Sequence, residues 1–382
     1  MNEMARIAYV DHSYHRSTLS TGFLVEILQR RGHVVDRFWD EAWRGGAPVP
    51  WSDVQGYDVV IMFQSYCTPP ARHFRHLHPN VIYVPMLDQF ALWQGPVTPL
   101  SEFWEPFQGS KVLNFSTALH GLTKSFGIAS HFVRYYQPTR PPVAPSEGLH
   151  GFFWVRRQSQ LPWDSIRRLI GTARFDSMHL HLAGDPGSPP SEMPPEEDIA
   201  RHRITTSTWF EDKKDLEAVL DRANVFFASR LDEGIGQAFL EAMGRGQCVV
   251  APNQGTMNEY ILPGFNGLLY ELDALQPLDF SQVHVLGARG WESARAGRVQ
   301  WEEAEEALIR FILAPSEGLY AGKYQHPSVH VQGAAAAGAV KVDVMSRKIA
   351  TRLRRVAGYA FFRKTRSLWH PLLQWMRRLV SR

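Results

Sequence analysis

Residues 225–252, VFFASRLDEGIGQAFLEAMGRGQCVVAP, predict a strand, a glycine-containing loop, a helix and a second strand. VFFASR is a short apolar run typical of a buried strand, and CVVAP is another. Between them, GQAFLEAMGRG places the apolar residues Phe239, Leu240 and Met243 at helical spacing and ends in a glycine-rich turn. Strand, helix and strand in this order form the repeating unit of a parallel α/β sheet.

The same alternation continues on both sides of this stretch. Further strand-like runs with helical patterns between them occupy residues 6–11, 34–39, 58–63, 81–86, 111–116, 151–157 and 178–184. We therefore predict an α/β protein with two Rossmann-like, doubly wound parallel-sheet domains facing a cleft, where ligands of such sheets bind.

A proline-rich segment separates the two series of strands. QPTRPPVAPSEG, residues 137–148, holds four prolines in twelve positions, which favours a linker. The predicted domains are one Rossmann-like domain over 1–138 and another over 151–330, joined by a linker over 139–150. GAAAAGAV lies in the remaining segment, 331–382, which reads as an Ala-rich spacer followed by a basic tail.

The composition of the 382-residue chain, with 44% hydrophobic and 21% charged residues, is typical of a globular protein. Cys67 and Cys248 are far apart and predict neither a disulfide framework nor a metal cluster. The N-terminus lacks the pattern of a signal peptide, and a membrane span would need a run of about 18 apolar residues, which the sequence does not contain. We expect a cytoplasmic protein, either soluble or peripheral on the inner face of the membrane.

Charge is concentrated in the tail. Residues 341–382 hold twelve Lys or Arg and one acid, a net +11, which leaves the other 340 residues at −8 because the whole chain carries +3. Apolar residues at helical spacing, together with Trp369 and Trp375, predict a basic amphipathic helix on an anionic membrane surface. A disordered or partner-bound tail is the alternative, and we expect no nucleic-acid partner because no binding module accompanies the charge.

Two glutamates flank the glycine-containing loop. Gly234 and Gly236 allow backbone N–H groups to approach a ligand, and the start of the following helix favours an anion such as a diphosphate. Glu233 and Glu241 then suit the hydroxyl groups on either side of that anion, because carboxylates accept hydrogen bonds strongly. This pattern fits a nucleotide sugar.

The longer stretch EGIGQAFLEAMGRGQCVVAPNQGTMNEYILPGFNGLL resembles the donor-site signature of the family 4 (group 1) retaining glycosyltransferases. The match is close over this stretch, and the two-domain layout is similar to the GT-B fold of the family. The resemblance implies that 1–138 is the acceptor-side domain and that 151–330 is the nucleotide-sugar-binding domain. The matching positions are Glu233, Gly234, Gly236, Glu241, Ala242, Gly246, Val249, Val250, Gly255, Glu259, Asn266, Gly267, Leu268 and Leu269.

The resemblance implies a role for each matching residue. Glu233 would contact the donor sugar as a catalytic-site residue, Glu241 would bind the ribose, and the amides of Gly236 and Gln237 would bind the diphosphate. Arg157 matches a diphosphate-binding arginine. The remaining donor-site candidates are Gly234 and Glu259. No metal or cofactor is expected.

The sequence departs from the family pattern at several places. No lysine follows Arg157 at the expected spacing, so Arg156 is a possible substitute. The family often has a histidine after the fourth strand, whereas this chain reads YVPMLDQF and offers Asp88 as the nearest polar candidate for a catalytic role. The first loop contains Ser and Thr in place of a glycine-rich pattern.

Histidine clusters favour structural interpretations. His73, His76 and His78 do not share one helical face, which argues against a metal site. His179 and His181 alternate along a predicted strand and read as structural. The acidic run WEEAEEALIRFIL, 301–313, predicts an amphipathic helix with a solvated face.

The predicted function is transfer of a sugar, with retention, from a nucleotide-diphosphate sugar to a hydroxyl of a glycan or glycolipid acceptor. Surface polysaccharide or lipid-linked glycan synthesis would be the setting. A sugar-nucleotide epimerase or phosphorylase of the same fold is one alternative. A membrane-docked nucleotide-binding scaffold without catalysis is another, because the second diphosphate cation and the histidine are missing.

Overall fold

A computed structural model describes residues 4–18, 20–65, 73–90, 102–142, 147–185 and 190–320. It contains two six-stranded parallel sheets with flanking helices, which confirms the predicted fold class. The basic tail and Cys67 lie outside the described residues. Within the described part, no helix is both long enough and apolar enough to cross a membrane.

The first sheet is built from the N-terminal half of the chain. Its strands are Arg6–His12 (β1), Val34–Asp40 (β2), Val59–Phe63 (β3), Val81–Val84 (β4), Lys111–Asn114 (β5) and Ala129–Phe132 (β6). Its helices are His15–Thr18 (α1), Gly22–Arg30 (α2), Trp51–Val54 (α3), Leu87–Phe90 (α4) and Thr117–Ser125 (α5). The strand order is β2-β1-β3-β4-β5-β6.

The second sheet is built from the C-terminal half. Its strands are His150–Trp154 (β7), Ser177–His181 (β8), Ile204–Ser207 (β9), Val225–Phe227 (β10), Cys248–Pro252 (β11) and Leu268–Tyr270 (β12), in the order β12-β11-β10-β7-β8-β9. Its helices, with those that follow it, are Trp163–Ile170 (α6), Glu196–His202 (α7), Lys213–Leu220 (α8), Gln237–Gly244 (α9), Met257–Tyr260 (α10), Val283–Leu313 (α11) and Ser316–Tyr320 (α12).

Alternation along the central strands divides the core into layers. In β1, Ile7 and Tyr9 face one side of the sheet, and Ala8 and Val10 face the other. The first side shares one apolar cluster with residues of the C-terminal half, including Phe226. The two halves are therefore joined by a continuous core.

The long helix α11 returns from the C-terminal half to the N-terminal sheet. Lys111 in β5 is fully buried, and its Nζ donates to the carbonyl oxygens of Phe311, Ile312 and Ala314 at 2.6, 2.8 and 2.5 Å. These carbonyls lie at the end of α11, where the helix leaves its last acceptors unpaired. Burial lowers the pKa of Lys111 to about 7.

The acidic run in α11 differs from the prediction at one position. Glu305 is buried and receives two hydrogen bonds from Arg30 Nη2, at 2.6 and 2.8 Å. The expected solvated face therefore includes a buried glutamate whose ion pair with the exposed Arg30 attaches α11 to α2. The sequence pattern alone does not reveal the layer against which this part of the helix packs.

Candidate active site at the junction of the two halves

The loop between β10 and α9 contains one position whose backbone conformation favours glycine. Gly236, the residue before α9, has φ +80°, a left-handed conformation that side chains disfavour. A Cβ there would lie 1.9 Å from Cε1 of Phe239. Gly234 is also confined, because a Cβ would lie 2.7 Å from Sδ of Met86 in the N-terminal half. The glycines predicted from sequence thus shape a tight loop against the opposite half.

Thr256 holds this loop from behind. Its Oγ1 is 2.6 Å from the carbonyl oxygen of Glu233 and 3.2 Å from that of Gly234. Thr256 is fully buried and has φ +74° and ψ −57°, a rare and strained conformation for a residue with a branched side chain. Such strain persists only where surrounding contacts enforce it, so Thr256 is a positioning residue of the loop.

Arg230 joins the two predicted catalytic residues. Its Nη1 lies 3.2 Å from Oε2 of Glu233, and its Nη2 donates to Oδ2 of Asp88 at 2.7 Å. The three side chains are only 10%, 13% and 14% exposed for Arg230, Glu233 and Asp88. Asp88 lies in α4 of the N-terminal half, so the structure brings both residues to one cluster across the junction.

The electrostatics of this cluster follow from burial. Burial raises the pKa of Glu233, and the positive charges of Arg230 and Arg156 oppose the rise. Burial disfavours the charge of Arg230 too, but Glu233, Asp88 and Asp185 outweigh it and raise the pKa of Arg230. The cluster therefore keeps a permanent cation next to a carboxyl group that is more easily protonated than usual.

Arg156 and Arg157 follow β7 and share one carboxylate. Their Nε atoms donate to Asp185 Oδ1 and Oδ2 at 2.5 and 2.6 Å. Burial alone would raise the pKa of Asp185, but the two guanidinium groups hold it below its usual range. Among the described residues, the terminal Nη atoms of both arginines have no hydrogen-bond partner, and both arginines act on the charge of Glu233.

The remaining predicted donor-site residues lie around the start of α9. Glu241 is partly exposed and its Oε1 lies 3.0 Å from Nη1 of Arg245 in the same helix. Gln237 contacts the opposite half, because its Nε2 donates to the carbonyl oxygen of Ser20 at 2.5 Å. This contact places the loop after α1 beside the first turn of α9.

Glu259 has a structural partner that the sequence did not suggest. Its carboxylate accepts hydrogen bonds from Ser116 Oγ at 2.7 Å and from the backbone N–H of Thr117 at 2.8 Å. Thr117 is the first residue of α5, so Glu259 in the C-terminal half caps a helix of the N-terminal half.

A second polar cluster lies at the carboxyl end of β1. The buried carboxylate of Asp11 is 2.6 Å from Nδ1 of His15 and accepts a hydrogen bond from Thr21 Oγ1 at 2.6 Å. The rings of His12 and His15 lie with their centroids 3.7 Å apart. Burial, followed by the neighbouring His15, lowers the pKa of His12. His12 connects to the Arg230 cluster through Gln64, which contacts Asp88.

The sequence did not single out several residues of these clusters. Arg230, Asp185 and Gln64 are distant along the chain from the residues they contact, and nothing in their local sequence predicts the pairing. Gln64 does have a structural signal, because it is a non-glycine residue with φ +57° directly after β3.

The histidine and cysteine interpretations can be compared with the structure directly. Both His179 and His181 contact Ser207 Oγ, at 2.8 and 2.9 Å, which confirms their structural role. Cys248 is fully buried in β11, where it packs as a small core residue.

Two parallel sheets with a glycine-shaped loop and buried acid–arginine clusters at their junction define an α/β protein with two Rossmann-like domains. A sequence model described as "Glycosyl transferases group 1" matches residues 153–280, one third of the chain. The matched segment contains Glu233, Glu241 and Glu259. The predicted resemblance to group 1 glycosyltransferases is therefore confirmed for the C-terminal half.

Solved structures show the same fold. Sucrose-phosphate synthase from Thermosynechococcus elongatus is 13% identical, with a TM-score of 0.57 over 80% of this chain and 99% of that one. A glycosyltransferase from Rickettsia africae is 13% identical, with a TM-score of 0.56 over 85% of this chain and 100% of that one.

The Anabaena protein HepE, in complex with UDP and glucose, is 14% identical, with a TM-score of 0.54 over 80% of this chain and 100% of that one. At such identities the likeness establishes the fold, and the predicted GT-B architecture is confirmed. A comparison with curated proteins finds no match.

Proposed function

We propose that this protein is a glycosyltransferase that moves a sugar from a nucleotide-diphosphate sugar to an acceptor hydroxyl, with retention. The observation that carries the proposal is the loop over 230–237, where a glycine-shaped backbone, a helix start and a buried acid–arginine cluster adjoin one another. The similarity of residues 153–280 to group 1 glycosyltransferases and the UDP and glucose bound to HepE support this class of donor.

The diphosphate is assigned to the start of α9. The N–H groups of Gly236 and Gln237 lie where an α-helix has unpaired donors and a partial positive charge. Arg156 and Arg157 add positive charge at the end of the adjacent strand. Only their Nε atoms donate to Asp185, so among the described residues their terminal Nη groups remain able to donate to a phosphate. Fixed donors of this kind stabilise a departing phosphate, so the proposed reaction requires no metal at the diphosphate.

The sugar and the ribose are assigned to the two glutamates. Glu241, partly exposed, would accept hydrogen bonds from ribose hydroxyls. Glu233 would contact the sugar beside Arg230, whose buried Nε has no hydrogen-bond partner in the described part of the chain. A hydroxylated ligand would satisfy this donor, and a carboxylate next to the reacting carbon would stabilise positive charge developing there.

The acceptor is assigned to the N-terminal half. Asp88, held by Arg230 on the opposite side of the junction from the α9 helix start, would contact the acceptor or the reacting groups. Separation of the halves would admit substrates, and closure would exclude water, which limits hydrolysis of the donor.

The donor assignment is tested first by binding. Thermal unfolding of the full-length protein is measured with UDP, GDP and their sugars, and one nucleotide series is expected to raise the melting temperature. Glu241→Gln should weaken that effect about 10-fold in apparent affinity, since one charge-assisted contact contributes up to about 1.5 kcal/mol. Glu302→Gln is the matched control, because Glu302 also pairs with an arginine four residues away but on an exposed helix face.

The catalytic assignment is then tested by turnover with the identified donor. Glu233→Gln should bind the nucleotide but lose most of the transfer rate. Unchanged transfer would contradict the role of Glu233. Nucleotide binding without transfer to any glycan or glycolipid acceptor would favour the scaffold alternative.

We also propose that residues 341–382 attach the protein to the anionic inner face of a membrane, near a glycan or glycolipid acceptor. The support is the net charge of +11 together with the amphipathic spacing. Deletion of this segment should abolish binding to vesicles of anionic lipid, and binding of the full chain should fall as salt is raised. Equal vesicle binding by the truncated and full-length chains would contradict the proposal.

A further inference from the structure

Three side chains with metal-binding chemistry converge at the carboxyl end of β1. One ligand atom from each of Asp11, His12 and His15 lies within 4.8 Å of the others. Asp11 and His12 are the last two residues of β1, and His15 begins α1. The turn between strand and helix brings His15 back over the strand end.

The hydrogen bonds of Gln64 determine which nitrogen of His12 carries the proton. Gln64 Nε2 donates to Oδ1 of Asp88 at 3.3 Å, because a carboxylate paired with Arg230 can only accept. The other amide atom of Gln64, Oε1, must then accept from His12 Nε2 at 3.2 Å. In the neutral imidazole, His12 Nδ1 is then the nitrogen without a proton.

The free nitrogen of His12 lacks a partner. Nδ1 is a buried atom without a hydrogen-bond partner among the described residues. A buried lone pair of this kind is costly unless something binds it, and a neutral imidazole nitrogen is a common ligand of transition metals. Metal-bound histidines ordinarily donate their second N–H to an acceptor, as His12 does to Gln64.

Asp11 is oriented in the same manner. Its Oδ2 accepts from Thr21 Oγ1 at 2.6 Å, and its Oδ1 accepts from the backbone N–H of His12 at 2.8 Å and lies 2.6 Å from His15 Nδ1. Two ligand atoms that each lie about 2.1 Å from one ion are about 3 to 3.5 Å apart. A cation between Asp11 Oδ1 and His15 Nδ1, which are now 2.6 Å apart, would therefore require these side chains to move apart by about 1 Å.

We propose that Asp11, His12 and His15 bind one divalent first-row transition cation. Two imidazole nitrogens and one carboxylate suit zinc, manganese or cobalt better than calcium or magnesium. Three protein ligands leave open positions for an oxygen of a substrate. The site lies on the acceptor side and connects to Asp88 through Gln64, separate from the donor residues of the C-terminal half.

This site differs from the sequence expectation, which included no metal. The three histidines that stand closest together in the sequence are His73, His76 and His78. The set that converges in the structure combines the end of β1 with His15 at the start of α1. The proposal concerns binding by the protein itself and stands independently of the proposed transfer reaction.

The test uses the full-length protein, free of any affinity tag and stripped of metal with a chelator. Zinc chloride alone is titrated in by calorimetry, and binding of one equivalent is expected. Cobalt chloride in a parallel titration should produce visible absorption bands typical of a coordination number below six. Absence of one-equivalent binding with zinc, manganese and cobalt would overturn the proposal.

Variants assign the ligands. His15→Ala and His12→Ala should each weaken zinc binding at least 10-fold, and Gln64→Met should weaken it about 10-fold through loss of the supporting hydrogen bond. His284→Ala, an exposed histidine in α11, is the control and should bind as the unmodified protein does. Circular dichroism confirms that each variant is folded, and unchanged binding by either His12→Ala or His15→Ala would overturn the site.

A separate readout distinguishes this proposal from the proposed function. Nucleotide binding is measured on the metal-free protein by thermal unfolding. Zinc uptake without nucleotide binding supports the metal site alone, and nucleotide binding without zinc uptake overturns the metal site while leaving the donor site in place.

Discussion

The two halves of the protein meet at one junction but contribute different chemistry to it. The C-terminal half contributes a specially shaped backbone in addition to charged side chains such as those of Arg230 and Glu233. Its loop before α9 is shaped by Gly234 and Gly236 and held from behind by Thr256. The N-terminal half contributes side chains, with Asp11 and His12 at the end of β1 contacting residues from other elements.

This difference explains why one half is recognisable and the other is not. A site made from backbone needs glycines at fixed positions, so it leaves a pattern in a short stretch of sequence. A site made from side chains depends on which strand ends lie together, as Gln64 and Asp88 do after β3 and β4. The contacts in the second case form between distant segments and leave no local pattern.

The Arg230 cluster joins the two halves, and its loss should have the largest effect on stability. Arg230→Met would leave the carboxylates of Glu233 and Asp88 buried without their cation. The loss should be about 3 kcal/mol of unfolding free energy, measured by urea denaturation at neutral pH. Adding Asp88→Asn should recover part of that loss, because one uncompensated charge is removed.

Arg295→Met provides the control for Arg230→Met. Arg295 pairs with Glu292 on an exposed surface of α11 and its loss should cost less than about 0.5 kcal/mol. Equal effects of the two substitutions would show that the junction cluster behaves as an ordinary surface ion pair.

The loss of folding stability at acid pH tests a buried histidine of the C-terminal half. Burial, followed by the neighbouring His179, lowers the pKa of His181 from 6.5 to about 4. The unfolded chain therefore binds a proton that the folded chain rejects, so this contribution to stability is complete above pH 6.5 and is lost as pH falls towards 4. The expected loss is about 3 kcal/mol across that window, measured by urea denaturation at several pH values.

His181→Phe isolates this contribution. The ring stacks on Phe210 with an interplanar angle of 9°, and Ser207 keeps His179 as a partner, so the aromatic replacement retains most contacts. The variant should lose stability less steeply than the unmodified protein between pH 6.5 and 4. Identical slopes would contradict a titration of His181 in this range.

Lys111→Met tests how the N-terminal half holds α11. The substitution keeps the length of the side chain but removes the Nζ donor to the carbonyl oxygens of Phe311, Ile312 and Ala314. Of these, Ile312 keeps Nδ2 of Asn80 as a second donor. We expect a loss of about 2 kcal/mol, measured by thermal or urea unfolding. Lys124→Met, on the exposed side of α5, should change stability by less than about 0.5 kcal/mol. A similar effect at both positions would argue against the capping role.

The smallest expected effect concerns the cap between the halves. Glu259→Ala removes the acceptor for Ser116 Oγ and the N–H of Thr117, and a lost helix cap costs about 1 kcal/mol. Hydrogen exchange at the first turn of α5 should become faster, whereas Glu259→Gln should preserve part of the protection. Unchanged exchange in Glu259→Ala would mean that α5 does not depend on the opposite half.

Most central strands were predictable from the sequence, and three strands at sheet edges were not. β6, β9 and β12 lie at the edges of the sheets and have only three or four residues. Edge strands are often short, which limits the exposed row of unpaired backbone N–H and C=O groups, and a short strand leaves little pattern in the sequence. The edge strand β2 was predicted, since VVDRFW has a stronger strand pattern.

The first part of α11 was also missed, because its sequence contains glycines that disfavour an isolated helix. Gly287 and Gly297 allow close packing: a Cβ would lie 2.2 Å from the carbonyl oxygen of Gly246 in the first case and 2.3 Å from the Tyr136 ring in the second. Tertiary contacts compensate for the poor helix propensity at these positions.

The amino-acid sequence alone determined the alternation of strands and helices, the glycine loop and the positions of Glu233 and Glu241, because these features depend on neighbouring residues. The tertiary structure decided the partners: Arg230 between Glu233 and Asp88, Glu259 on α5, and the convergence of His15 with the end of β1. Charges and polar groups from distant segments become partners only when the sheets are assembled and burial makes unpaired groups costly.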